Sequence, residues 1–193
     1  MSSQKLPNLI GITGFKRSGK DTCGLYLIEK HNYIKYSFAG ALKAACSEIF
    51  MFDYEQTDGS KKVDFDQRWN INPRKVFQRF GTEIFRDSLE QFFPEMKHLK
   101  NNFWIYRFKI WYQEQVKKNP HVRIVVTDVR FQNEADIIKE LGGIIIKVSR
   151  KNIMSDDKHA SEINILNIKA DYDIKNDSSI EDYYKNLKSI LNL

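Results

Sequence analysis

The residues best suited to chemistry form the run Gly14-Phe15-Lys16-Arg17-Ser18-Gly19-Lys20, near the start of the chain. Glycines at both ends of the run let the backbone turn tightly, so that several successive N–H groups can converge on one anion. The Lys20 ammonium adds a mobile positive charge that can reach the β- and γ-phosphates of a nucleotide. The spacing G-x-x-x-x-G-K therefore predicts a phosphate-binding loop.

The elements on either side of this run fit the same interpretation. The apolar residues 9–13 predict a buried strand, and residues 22–30 have the composition of a helix. A strand, a glycine-containing loop and a helix are the context that a P-loop requires. The helix would point the positive end of its dipole at the bound phosphates.

The position directly after Lys20 departs from the commonest form of the motif. It is Asp21, and a hydroxyl follows one residue later at Thr22. In GTPases and many ATPases the residue after the lysine ligates Mg²⁺ directly. Asp21 can act through a bound water, or it can simply stabilise the first helical turn. The departure favours a small-molecule kinase over a GTPase switch, and the chain also has no Asn-Lys-x-Asp base-reading motif.

Charged side chains follow two further predicted strands. The apolar run 121–128 ends in Asp128, with Arg130 two residues later, and Arg150 follows the apolar run 144–148. The carboxyl ends of parallel strands share one edge of a sheet, which is where ligands bind. Mg²⁺ prefers oxygen ligands, and an acid at a strand end is a usual partner for it in P-loop proteins. Alternatively, Asp128 could cap the next turn, and Arg130 could form an ion pair at the surface.

The order of predicted elements gives the fold class. Apolar β-runs alternate with helices, which predicts an α/β protein with a three-layer P-loop kinase fold and a mostly parallel five-stranded sheet flanked by helices. Residues 51–71 are polar and turn-like, so we expect them to be irregular. One continuous helix is predicted from Asn72-Pro73 to about Phe85, and an aromatic-rich helix after Asn101-Asn102. We expect a single domain over 1–193.

Composition limits the classes of function. The net charge of +6 suits polyanionic ligands, but the lysines are scattered and no nucleic-acid-binding signature is present. We therefore expect small-molecule nucleotide partners, with no nucleic acid and no membrane. The N-terminus lacks the features of a signal peptide, and the two cysteines have no metal-ligand spacing, so a reducing, cytoplasmic location is predicted. Whether the chain forms a homodimer is left open.

The motifs together resemble those of the phage- and virus-type deoxynucleoside monophosphate kinases. The resemblance runs through nearly the whole chain, in the segments 14–22, 38–43, 79–83, 127–135, 142–143, 148–150 and 159–162, and in Arg86 and Trp104. It implies transfer of the γ-phosphoryl group of ATP to a deoxynucleoside monophosphate, with Mg²⁺ as the metal. In a viral protein the location would be the host cytoplasm. The resemblance also implies a helical monophosphate-binding region at about 38–118 and a short lid at about 150–167.

The resemblance assigns roles residue by residue. It implies catalytic roles for Arg17, Lys20, Asp128 and Arg150. ATP would be bound by Gly14, Lys16, Ser18, Gly19, Lys20, Asp21, Thr22 and Arg150. The metal would be held by Asp21, Thr22 and Asp128. The acceptor nucleotide would contact Lys43, Arg79, Gly81, Thr82, Arg86, Trp104 and Arg130.

Two other functions stay open at this point. Phosphomevalonate kinases share a Lys-Ser-Gly-Lys-Asp loop and a strand-end Asp-x-Arg, so a small-molecule kinase of that kind is one alternative. The run Phe80-Gly81-Thr82-Glu83 and the aromatic helix favour a flat nucleobase over an isoprenoid acid. The other alternative is a P-loop ATPase that is not a kinase, which DNA-stimulated hydrolysis without an acceptor would reveal.

Overall fold

The computed structural model describes residues 6–151, 153 and 164–191. The chain divides into two compact units, one made of residues 1–37 and 112–193 and the other of residues 38–111. The strands are β1 Leu9–Thr13, β2 Tyr33–Tyr36, β3 Arg123–Val129, β4 Ile144–Ser149 and β5 Tyr172–Lys175. The α-helices are α1 Lys20–His31, α2 Phe38–Phe50, α3 Tyr54–Thr57, α4 Pro73–Gln78, α5 Leu89–Phe92, α6 Phe103–Lys118, α7 Gln132–Glu140 and α8 Ile180–Leu191.

The first unit is built on a five-stranded sheet with the order β2-β3-β1-β4-β5. Every neighbouring pair of strands is parallel, so the sheet is fully parallel where the sequence predicted a mostly parallel one. All five residues of β1 are buried, as expected for a central strand covered on both faces. The carboxyl ends of the strands therefore lie along one edge, which is also where the glycine run begins.

Helices cover both faces of this sheet. On one face, Ile10 and Val125 belong to a buried apolar cluster that includes Leu27 of α1 and Leu187 of α8. On the other face, Ile138 of α7 comes so close to Gly11 that a Cβ built there would lie 2.8 Å from its Cδ1 atom. The three-layer α/β architecture predicted from the sequence is confirmed.

The second unit consists mainly of helices, with an irregular stretch at 64–72 that contains a β-bridge between Asp66 and Ile71. The expectation of an irregular segment at 51–71 was wrong in part, because it contains α3 and a 3₁₀ turn at Ser60–Val63. The Asp53 carboxylate accepts a hydrogen bond from the Gln56 N–H, and the Gln56 side chain accepts one from the Asp53 N–H. This reciprocal capping box stabilises a short helix that the polar composition concealed.

The helix predicted from Asn72 to about Phe85 is also different in the structure. Asn72 caps α4 as expected, but the α-helix gives way to a π-helix at Arg79–Ser88 before α5 begins. Within the π-helix, the Gly81 carbonyl accepts a hydrogen bond of 2.8 Å from the Trp104 indole of α6. The Gly81 carbonyl is thus bound by a side chain from another helix, and no sequence pattern within 72–92 could predict this contact.

Other expectations concern the rest of the chain. The start of α6 after Asn101-Asn102 is confirmed. Cys23 and Cys46 are buried free thiols. Across the described ranges, no helix combines the length and apolar character needed to cross a bilayer. Most of the lid predicted at about 150–167 lies outside the described residues.

Candidate active site

The glycine run forms the connection between β1 and α1, as the motif requires. Gly14 has a φ of 143° and Gly19 a φ of 111°, both in the region that favours glycine. A Cβ on Gly14 would overlap the carbonyl oxygen of Val148 at the end of β4. Arg17 also adopts a positive φ of 66°. The loop thus needs glycine at its first position for two separate reasons, its torsion angle and the close approach of β4.

The Lys20 side chain folds back over the loop that precedes it. Its Nζ atom donates a hydrogen bond of 2.7 Å to the Phe15 carbonyl oxygen. The side chains of Lys16 and Arg17 are exposed, whereas Ser18 is buried at 1% exposure. Three cationic side chains and the first N–H groups of α1 therefore belong to one loop, an arrangement that attracts polyanions.

Two buried hydroxyl groups adjoin this loop. The Oγ1 atom of Thr13 and the Oγ atom of Ser18 have no hydrogen-bond partner among the residues that the structure describes. A buried hydroxyl left without a partner costs free energy, and such groups in native proteins commonly mark a ligand site. An oxygen-rich ligand such as phosphate would supply the missing acceptors.

Asp128 lies beside the start of the loop, because β3 and β1 are neighbours with Thr13 paired to Val129. Its carboxylate is half-buried and accepts a hydrogen bond of 2.7 Å from the Ser37 hydroxyl. Ser37 follows β2, the strand on the other side of β3, and the sequence analysis missed it. The signal was available, because a hydroxyl directly after the neighbouring strand falls on the same sheet edge.

A buried glutamate fixes the chain after Asp128. Glu134, at 2% exposure, accepts hydrogen bonds from the backbone N–H groups of Arg130 (2.8 Å) and Phe131 (3.2 Å) through Oε2. This holds the start of α7 and with it the backbone of Arg130, whose side chain is half-buried. The sequence signal was a glutamate at the third position of a helix, the usual place for an acid that caps the N-terminus.

The far side of the loop is held from the C-terminal part of the chain. Asn176, directly after β5, donates a hydrogen bond of 2.9 Å from Nδ2 to the Ser18 carbonyl oxygen. The Tyr183 hydroxyl, from α8, donates one of 3.1 Å to the Gly19 carbonyl oxygen. These two residues were not predicted, since they lie more than 150 residues away in the chain.

Cys23 and Tyr183 lie together below the start of α1. Burial raises the pKa of the Cys23 thiol to about 12, against a smaller opposing effect from its hydrogen bond with Tyr183. Burial likewise raises the pKa of Tyr183. Both groups stay protonated at neutral pH, so the Tyr183 hydroxyl remains a donor and the Cys23 thiol is no nucleophile.

Arg150 is exposed and follows β4, which is the other neighbour of β1. The residues around it are fixed: the Asn176 N–H donates to the Ser149 carbonyl at 2.8 Å, and the Lys151 N–H donates to the Asp177 carboxylate. The structure thus places Arg150 at the same sheet edge as the glycine loop and Asp128.

The predicted acceptor residues lie in the second unit, apart from Arg130. Gly81 and Thr82 are half-buried on the π-helix, where Trp104 contacts Gly81, and Arg86 of the same helix is buried. Arg79 is exposed. The Lys43 ammonium forms an ion pair with Asp58, and the Lys62 ammonium lies 3.8 Å from the same carboxylate.

These features define a class of protein. The first strand of a parallel sheet leads through a glycine loop of the phosphate-binding type into a helix, which is the arrangement of P-loop nucleotide-binding proteins. A family model described as deoxynucleotide monophosphate kinase matches residues 8–66 and 46–187. The chain belongs to this family of phosphotransferases. This membership decides against the phosphomevalonate-kinase and ATPase alternatives.

Two viral relatives agree with the family assignment. A protein of Acanthamoeba polyphaga mimivirus, named by inference as a deoxynucleotide monophosphate kinase, is 45% identical over 186 residues, covering 94% of each chain. The deoxynucleotide monophosphate kinase of phage T4 is 23% identical and covers 95% of this chain and 98% of its own. Among solved structures, a dephospho-CoA kinase from Campylobacter jejuni covers 96% of this chain with a TM-score of 0.48 and 19% identity.

Proposed function

We propose that the protein uses ATP and Mg²⁺ to phosphorylate a deoxynucleoside monophosphate, which gives ADP and the deoxynucleoside diphosphate. One observation carries this proposal: the glycine loop and Lys20 lie at the sheet edge beside Asp128, in a chain that belongs to the deoxynucleotide monophosphate kinase family. The family description supplies the acceptor class, and the loop supplies the site for a phosphate donor.

The donor nucleotide would bind at the glycine loop. The N–H groups of the loop and of the first turn of α1 would surround the β-phosphate, and the Lys20 ammonium would leave the Phe15 carbonyl to contact the β- and γ-phosphates. Lys16 and Ser18 complete this proposed set. The transferring group carries charge on three equatorial oxygens, and the cations of Arg17 and Arg150 would stabilise that charge.

The residues at the sheet edge fit a magnesium ion. Asp128 offers a carboxylate, Thr22 a half-buried hydroxyl in the first turn of α1, and the exposed Asp21 a second carboxylate. These are oxygen ligands, few in number, as expected for an ion that keeps several waters and shares the nucleotide's phosphates. When bound, the ion offsets charge on the β- and γ-phosphate oxygens. The Ser37 hydroxyl would hold the Asp128 carboxylate in place.

The acceptor would be recognised by residues of the second unit together with Arg130. A monophosphate carries close to two negative charges, so the guanidinium groups of Arg79 and Arg86 are proposed contacts. Lys43 would have to exchange Asp58 for the acceptor phosphate, which makes it the weakest of the cationic contacts. The π-helix residues Gly81 and Thr82, with Trp104 behind Gly81, would shape the surface for base and sugar.

Two further proposals concern the setting of the reaction. Because the relatives are viral proteins, we place the activity in the cytoplasm of a host cell, where ATP is abundant. We also propose self-association into a homodimer, which the exposed apolar side chains of the second unit would support, among them Phe92, Phe93, Tyr106 and Ile110. Fractionation of infected cells tests the first, and sedimentation equilibrium of the purified protein tests the second.

A substrate panel tests the reaction. ADP release is measured with ATP, Mg²⁺ and each deoxy- or ribonucleoside monophosphate in turn. We expect at least one deoxynucleoside monophosphate to stimulate turnover well above the rate without acceptor. If no monophosphate does so, the proposal fails, and hydrolysis stimulated by DNA alone would identify an ATPase instead.

A further inference from the structure

The glycine loop requires hydrogen-bond donors on its outer side as well as an anion on its inner side. When successive N–H groups converge on a phosphate, the carbonyl groups between them turn away from it. Those carbonyls need donors of their own, since a buried carbonyl without a partner is costly. In this protein Asn176 donates to the Ser18 carbonyl. The Gly19 carbonyl accepts two hydrogen bonds of 3.1 Å, one from the Cys23 N–H in the first turn of α1 and one from the Tyr183 hydroxyl.

Asn176 is fixed where it can serve this purpose. Its side-chain amide reaches the Ser18 carbonyl, while its backbone N–H donates to the Ser149 carbonyl at the end of β4. A Cβ on Gly19 would overlap the Asn176 amide nitrogen. Gly19 is therefore needed for a second reason besides its positive φ: it makes room for the donor that holds the loop.

Tyr183 is equally constrained. Its side chain is 1% exposed and lies in the apolar cluster between α1, α8 and the sheet, so only its hydroxyl reaches a polar partner. Because burial raises the pKa of that hydroxyl, it stays protonated at neutral pH and donates to the Gly19 carbonyl. Two donors from one C-terminal segment thus hold two consecutive carbonyls of the loop.

We propose that Asn176 and Tyr183 are positioning residues for the phosphate donor, which hold the Ser18 and Gly19 carbonyls outward so that the N–H groups face the phosphates before nucleotide binds. The proposal rests on the function proposed above, in which this loop binds ATP. Pre-organisation of this kind raises affinity by removing the cost of ordering the loop.

The experiment measures nucleotide affinity by calorimetry and steady-state constants for Asn176→Ala, Asn176→Asp and Tyr183→Phe. We expect Asn176→Ala to raise the Kd and KM for ATP about five- to tenfold. Tyr183→Phe should raise them less, because the Gly19 carbonyl keeps its hydrogen bond from the Cys23 N–H. The KM for the monophosphate should stay unchanged in both variants. Asn176→Asp keeps the shape of the side chain but sets a carboxylate against a carbonyl, so it should bind ATP more weakly than Asn176→Ala. Inorganic triphosphate should lose affinity by the same factor as ATP, because the effect lies in the phosphate loop.

Two variants of α8 serve as controls for general destabilisation. The Ser179 hydroxyl accepts a hydrogen bond of 3.1 Å from the Asp182 N–H at the start of α8, so Ser179→Ala weakens the helix without changing the donors to the loop. Tyr184→Phe removes the hydroxyl of the neighbouring tyrosine, whose ring stacks on Tyr26. Both should keep wild-type affinity for ATP. Each variant is measured well below its own unfolding midpoint, so that a loss of fold is not read as a loss of binding.

The outcomes separate the two proposals. A wild-type protein that binds neither ATP nor triphosphate defeats the proposed function. A wild-type protein that binds ATP, with Asn176→Asp binding it equally well, overturns the positioning role. The role is also overturned if Ser179→Ala weakens ATP binding as much as Asn176→Ala does, because stability of α8 would then explain both.

Discussion

The two units of this protein position their proposed site residues in different ways. In the first unit, the glycine loop, Asp128 and Arg150 follow neighbouring strands, so the register of the sheet brings them to one edge. In the second unit, the proposed acceptor residues lie on α2, α6 and the π-helix, held by side-chain contacts such as Trp104 with Gly81 and Lys43 with Asp58. The pairing of strands thus positions the proposed ATP-binding residues. Contacts between side chains, which single substitutions can change, position the residues proposed to bind the acceptor nucleotide.

This difference suggests how the two tasks are divided. A phosphate donor is the same for every turnover, so its site gains from a rigid framework. An acceptor site that is built on side-chain contacts can be changed by single substitutions. Apart from variants of Arg130, variants in the first unit should therefore act mainly on chemistry and ATP, and variants in the second unit on the acceptor.

The largest effect is expected from Lys20→Ala. Removing the ammonium takes away charge stabilisation of the transferring phosphoryl group, so turnover should fall by about 10³-fold or more. The melting temperature should stay near the wild-type value, because the side chain is half-exposed. Steady-state kinetics and circular dichroism measure both, and turnover close to wild type would show that Lys20 has no role in the chemistry.

Gly14→Ala tests whether the glycine loop of the first unit depends on its close approach to the Val148 carbonyl of β4. The positive φ alone should cost about 1–3 kcal/mol of unfolding free energy, and overlap of the new Cβ with the Val148 carbonyl should displace the loop and abolish tight ATP binding. Gly142→Ala is the matched control, since its φ is 79° but no atom lies within 4 Å of the Cβ position. That variant should lose stability only. If both variants lost ATP affinity equally, backbone strain with its general loss of stability would explain the loss, and the close approach of β4 would not.

Arg79→Gln tests the second unit in isolation. The KM for the acceptor monophosphate should rise about tenfold or more, from loss of a charge-assisted contact, while the KM for ATP and the melting temperature stay unchanged. Lys75→Gln, an exposed cation on the adjoining α4, is the control with the same change of charge. An effect of Arg79→Gln on ATP rather than on the acceptor would break the proposed division between the units.

The smallest effect concerns pH and the first unit. Burial, with the nearby charges of Arg123 and Lys188, lowers the pKa of His31 in the folded protein below its ordinary value of 6.5. The unfolded chain then binds the proton more tightly, so this contribution to stability is complete above about pH 6.5 and is lost as the pH falls below that value. Urea titrations at several pH values should show a shallower acid dependence for His31→Gln. His121→Gln, an exposed histidine in the same unit, should follow the wild-type curve.

The sequence predicted the parts of the site that depend on local order. Gly14, Lys20 and Asp128 belong to short motifs next to apolar strands, and the parallel sheet then had to align them. Glu134 and Ser37 could have been recognised by their positions at a helix start and a strand end, but only after the neighbouring strands were known. The π-helix at Arg79–Ser88 has no such signal, because its Gly81 carbonyl is bound by an indole outside the segment.

Asn176 and Tyr183 lie beyond sequence-based prediction for another reason. Their partners are backbone carbonyls, which every residue possesses, and the contacts join segments at opposite ends of the chain. Side-chain type and spacing therefore carried no signal for them. Such donors become visible only when the fold is known.

The strand order has a consequence for how the protein is made. β1 is the central strand, yet its two neighbours, β3 and β4, begin at Arg123 and Ile144. At about 5–20 residues per second, translation leaves this apolar strand without its partners for roughly 5–20 s after it is synthesised. Asn176 and Tyr183 emerge later still. The glycine loop thus leaves the ribosome well before the segments that hold it, so a newly made chain depends on staying soluble in the interval.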